Sequence, residues 1–157
     1  MPGSSRRTES YRLSELEGII RRVTESGGEF ELYPRGTSML PLICEGRDSV
    51  MLSALPAELV AGDVVLYRRD GGAYVLHRIV GREGESYTMC GDNQYLPEKG
   101  IRRDQMISFV SAFIINGRRI EASSPENLRY VRRRKSLGLR RIYLPVVYGF
   151  RKLSGRR

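Results

Sequence analysis

Glycine, aspartate and asparagine recur between short apolar runs through the middle of this chain, and that punctuation limits the fold more than any other feature. Asp70-Gly71-Gly72, Gly84-Glu85, Gly91-Asp92-Asn93 and Asn116-Gly117 each offer the backbone freedom that a tight turn needs. The segments between them read as strands. Asp63–Arg69, Ala73–Arg82, Ser86–Cys90 and Met106–Ile115 are short and rich in β-branched or aromatic residues. Phe30 and Leu32 start a period-two pattern that ends at Pro34, and Ser49–Leu52 is a further short strand. Asn116-Gly117 predicts a type I′ hairpin leading into Arg118-Arg119-Ile120. Many short strands joined by turns predict a mostly β (α+β) domain, folded over as a barrel or as stacked sheets. No internal repeat is visible.

Helical signals lie at the two ends. Ser14 and Glu17 have capping-box spacing, and Leu16, Ile19, Ile20 and Val23 repeat at helical spacing up to Ser26-Gly27-Gly28. Ser124-Pro125-Glu126 predicts a second helix start, with proline at the first helical position. The expected organisation is a polar N-terminus over 1–10, one domain over 11–122 and a basic tail over 123–157.

A chain of 157 residues can bury a core without covalent staples. Two cysteines exclude a disulfide scaffold, and with one histidine they leave too few soft ligands for a zinc site. No metal or other cofactor is expected. No run reaches the ~18 apolar residues of a membrane span. The basic residues near Met1 are not followed by an apolar stretch, so no secretory signal is expected. The expected address is the cytoplasm, with Cys44 and Cys90 as free thiols.

The net charge of +9 is unevenly placed. Residues 128–157 hold 11 of the 27 Lys and Arg and none of the 18 Asp and Glu, so the remaining 16 basic and 18 acidic residues leave a body of −2. A nearly neutral body with a cationic tail argues against a general nucleic-acid binder.

Three modest signals point to chemistry. Gly36-Thr37-Ser38-Met39-Leu40-Pro41 places a serine in a glycine-containing turn between strands, where a hydroxyl can be exposed beside backbone N–H donors. His77, the one histidine, lies late in a strand. Asp92 lies in the turn after the next strand, where a carboxylate can orient an imidazole. Each has a plain structural reading when taken singly.

Their order carries more. Gly-x-Ser-Met-x-Pro at Gly36–Pro41 is followed by Gly62-Asp63-Val64-Val65, then His77-Arg78-Ile79-Val80, then Gly91-Asp92-Asn93. This succession resembles the signal peptidase I family, over about Tyr33 to Ile115; the wider clan includes the self-cleaving domains of SOS-type repressors. The histidine at position 77, where most bacterial members carry lysine, resembles the archaeal and endoplasmic-reticulum branch. The resemblance implies a folded β-sheet peptidase domain, with Ser38 as nucleophile and His77 as general base. It implies Asp92 or Glu98 as the acid that orients His77; the second position is usually aspartate in that branch. It implies an oxyanion hole and substrate groove around Gly36, Thr37 and Met39, with Phe30, Leu32 and Leu40 nearby. Small residues would precede the cut.

The expected function is a serine endopeptidase acting on a peptide or protein, for instance the leader of a modified peptide. Its activity is expected to fall on acidification as His77 is protonated, with an ordinary pKa of about 6.5. Non-catalytic peptide or partner binding, and self-cleavage in a regulatory protein, are the rival readings. The family's usual membrane anchor is not in this sequence. Three readings of residues 128–157 stay open: an anionic membrane surface, phosphates of a nucleic acid, or a helix packed on the body with a solvated basic face.

Overall fold

The computed structural model describes residues 13–134. Helix α1 (Leu13–Glu25) is followed by β1 (Phe30–Leu32), β2 (Ser49–Ser53), β3 (Val64–Arg68), β4 (Tyr74–Glu83), β5 (Ser86–Cys90), β6 (Glu98–Arg102), β7 (Met106–Ile115), β8 (Arg118–Glu121) and helix α2 (Pro125–Arg134). The chain is mostly antiparallel β-sheet with two short helices. The strands form one sheet in the order β1-β2-β7-β3-β4-β5-β6, with β8 paired to β7.

Turn chemistry explains the boundaries. Asn116 and Gly117 both have positive φ, 50° and 75°, and Ile115 pairs directly with Arg118, as a two-residue I′ hairpin requires. Helix α1 ends at Gly27 (φ 85°), and the Gly28 N–H donates to the Val23 carbonyl at 3.0 Å. Its start differs from the expected capping box. The helix includes Ser14, and Glu17 accepts from Arg21 at 3.0 Å and from the Tyr74 hydroxyl at 2.6 Å instead. Charge-assisted and phenolic donors outcompete a backbone N–H for that carboxylate.

Strand β3 is buried on both faces, which divides the core in two. Val64 and Leu66 join Ile20, Val50, Leu52, Val110 and Phe113 on one side. Val65 and Tyr67 join Ile79, Tyr87, Met89, Ile101 and Met106 on the other. The second cluster exists because the sheet curls. A flat sheet would hold β6 three strand spacings, about 14 Å, from β3. Instead the Tyr67 hydroxyl on β3 donates to Glu98 on β6 at 2.8 Å. Register shifts in β4–β5 and β5–β6 supply the bend. β3 to β6 thus wrap around their own core, and the polar groups of the site lie where the curl brings β6 back to β3.

Both cysteines are free, Cys44 half-buried and Cys90 buried. No helix among the described residues is long and apolar enough to cross a membrane. Residues 135–157, most of the expected basic tail, and the polar N-terminus over 1–10 lie outside the described residues.

Candidate active site

Ser38 sits in a turn fastened from below by its neighbours. Gly36 opens the turn at φ 88°, in the left-handed region that favours glycine. The Leu40 N–H then returns to the Thr37 carbonyl at 3.2 Å and the Ile43 N–H to the Met39 carbonyl at 3.0 Å. Met39 and Ile43, one helical turn apart, are both buried in the first core cluster. That anchoring leaves Ser38 half-buried, with no hydrogen bond from its Oγ to another described residue.

A second turn holds the first. The Asn93 N–H donates to the Ser38 carbonyl at 2.8 Å, and Asn93 Nδ2 donates to the Thr37 carbonyl at 3.0 Å. Gly91 lies so close that a Cβ there would stand 2.6 Å from the Ser38 carbonyl oxygen. The Gly91-Asp92-Asn93 sequence is therefore a clamp on the serine turn.

His77 comes from β4, opposite Val65 on β3, and is 3% exposed. The register makes Tyr67 its diagonal neighbour on the same face. The Tyr67 hydroxyl lies 3.4 Å from His77 Nδ1 and donates to Glu98 Oε2 at 2.8 Å. With its proton directed to Glu98, the phenol oxygen can accept from Nδ1–H. That tautomer leaves Nε2 with a lone pair for a proton. Arg69 closes the chain with hydrogen bonds of 2.8–3.0 Å to both Glu98 oxygens.

Electrostatics keep the imidazole neutral. Burial pushes the His77 pKa down to about 4, aided by the Arg69 charge and opposed by Glu98 and Asp92. Burial works against the Glu98 charge, but the Arg69 guanidinium and Tyr67 hydroxyl outweigh it, and the carboxyl lies below its usual range. Burial, then the Glu98 hydrogen bond, raises Tyr67, so the phenol keeps its proton.

Ser38 and His77 line one cleft of about 260 Å³, together with Arg35, Gly36, Met39, Arg69 and others. Asp92 makes no hydrogen bond to His77. It is fully buried, its Oδ1 and Oδ2 accept from Arg78 at 2.8 and 2.7 Å, and Tyr130 of α2 donates to Oδ2 at 3.0 Å. Arg78, next to His77 on β4, is likewise buried, and its guanidinium holds both oxygens of the carboxylate. Glu98 is the acid linked to His77, through a phenol that the sequence reading did not single out.

No protein-family model, curated protein or solved structure matches this chain.

The expected oxyanion residues divide. The Gly36 N–H is taken by the Glu45 carboxylate at 2.9 Å, a stronger acceptor than a peptide oxygen. The Thr37 carbonyl is bound by Leu40 and Asn93. The backbone N–H groups of Ser38 and Met39 donate to no described acceptor, and these are the donors left for an anionic oxygen. The Met39 side chain belongs to the core and to the cleft wall at once. Among the described residues no group of three or more His, Cys, Asp and Glu side chains is placed to hold a metal ion.

Tyr67, Arg69 and Tyr130 were missed by sequence reasoning. Tyr67 had a usable signal: the Asp70-Gly71-Gly72 turn sets the β3–β4 register, and that register puts Tyr67 diagonal to His77. Tyr130 had none, because its partner lies 38 residues away in another turn.

Proposed function

We propose that the chain is a serine endopeptidase built on the folded-sheet scaffold that the signal peptidase I resemblance implies. The observation that carries this reading is the shared cleft. An uncommitted Ser38 hydroxyl and a neutral, oriented His77 both line it.

His77 Nε2 accepts the Ser38 proton as Oγ attacks the substrate's peptide carbonyl. The resulting oxyanion is met by the Ser38 and Met39 N–H groups. The imidazolium carries its new charge beside Tyr67, which passes part of it to Glu98. His77 then protonates the leaving amine, the peptide C–N bond breaks, and an acyl-enzyme remains on Ser38. Water, losing its proton to His77, attacks the ester and releases the acid and the serine hydroxyl. Burial of His77 costs basicity, and the Tyr67–Glu98 link returns some of it at the moment of proton transfer.

The test is cleavage of a peptide library, read by mass spectrometry, by wild type, Ser38→Ala and His77→Ala proteins, with and without anionic vesicles. Cleavage by wild type that falls at least about 10⁴-fold in either variant supports the reading. Cleavage that survives Ser38→Ala, or none by wild type on any peptide, sinks it. Stimulation by anionic but not neutral vesicles would support a membrane-surface role for the basic tail, of which Arg129, Arg132 and Arg133 are exposed.

A further inference from the structure

The charges lining the cleft have one sign. Only Arg35 and Arg69 are charged among the lining residues, and no Asp or Glu is there. Arg69 is bound to both oxygens of Glu98. Arg35 has no hydrogen bond or ion pair with any described residue. Glu45 accepts from the Gly36 N–H and does not pair with Arg35. Three residues before Ser38, then, stands a cation with no ion-pair partner among the described residues. Most of the remaining exposed wall is polar, with Met39, Ile43, Val75 and Leu76 contributing its smaller apolar part.

A mostly polar wall that holds a guanidinium without an ion-pair partner, and no acid, suits a side chain that ends in a carboxylate. We propose that this cleft selects peptides carrying an Asp or Glu side chain close to the scissile bond, and that Arg35 reads that carboxylate. The proposal rests on the endopeptidase reading and names its substrate class. Arg35 is exposed, so water and salt weaken the attraction. Exposed pairs of this kind shift an equilibrium by roughly two- to fivefold.

The test uses full-length protein and pairs of peptides that differ only by Glu or Gln at one position within three residues of the cut. Wild type should show a kcat/KM ratio, Glu over Gln, of about two to five at the recognised position. The ratio should approach one in Arg35→Gln, drop below one in Arg35→Glu, and shrink as salt is added. The same ratio in all three proteins overturns the proposal. The pairs are also titrated by fluorescence anisotropy onto Ser38→Ala and onto Ser38→Ala carrying Arg35→Glu. Absence of cleavage by wild type would remove the endopeptidase reading alone. Preferential binding of the Glu peptide that Arg35→Glu abolishes would then still support an acid-selecting cleft, and equal or absent binding would overturn it.

Discussion

His77 combines 3% exposure with a pKa near 4, and that moves the expected acid limb of activity. An ordinary histidine would lose its base function near pH 6.5. Here kcat/KM should stay level down to about pH 5 and fall below it, with an apparent pKa near 4 measured in a pH–rate profile. A limb near 6.5 would mean that the imidazole is not desolvated as described. Stability follows the same residue. Between about 6.5 and about 4 the unfolded chain holds a proton on His77 that the folded chain lacks. Folding stability therefore declines as the pH drops through that window. Urea unfolding at pH 7 and 4.5 should show a decline roughly 2–3 kcal/mol smaller in His77→Gln than in wild type. Tyr67→Phe removes the oxygen between His77 and Glu98 while keeping the ring. Its kcat should fall about tenfold with KM unchanged, the size expected for one lost hydrogen bond. An unchanged kcat would mean that Glu98 does not act through Tyr67.

At the scale of elements, the decisive piece is the Gly91–Asn93 turn and its contact with the Ser38 carbonyl. Gly91→Ala would force a Cβ to 2.6 Å from that oxygen, so one of the two turns must shift. Since a displacement of about 1 Å can cost 10²-fold in rate, kcat/KM should fall at least that far. The thermal midpoint should change by only a few degrees, because no core side chain is lost. A variant with near-normal activity would show that the clamp does not position the serine. The turn itself was legible, since Gly, Asp and Asn together announce one. Its task was not, because a carboxylate in a turn looks the same whether it meets histidine or arginine. Strands β5 and β7 coincide with their expected bounds, and a positive-φ turn adjoins each, Gly84 before β5 and Asn116-Gly117 after β7. Strand β6 went unread. Glu98-Lys99-Gly100 has no alternation, Gly100 adopts φ 79°, and Pro97 stands just before it. Only pairing with β5 makes it a strand.

Across the whole molecule, the start of the basic tail and the serine turn are joined through the Gly91–Asn93 turn. Helix α2 packs Val131 against Gly62, sets Tyr130 on Asp92 and brings Arg134 to the Asp92 carbonyl. Tyr130 and Arg134, from the described start of the cationic stretch, thus complete the shell of the buried Arg78–Asp92 pair. Removing one partner of such a pair strands a charge and typically costs about 3–5 kcal/mol. Asp92→Ala should therefore lower unfolding stability by that amount in urea, and Arg78→Leu combined with Asp92→Leu should recover much of it. A modest stability change with abolished catalysis would instead restore Asp92 to a direct catalytic role. The order of synthesis gives this arrangement a further meaning. Tyr130 is made 92 residues after Ser38. At about 5–20 residues per second the serine leaves the ribosome's catalytic centre roughly 5–20 s before the tyrosine that braces its clamp. A nascent chain carries its serine early and its brace late, so on the proposed reading the newborn protein has no ordered site until almost all of the described fold has been translated.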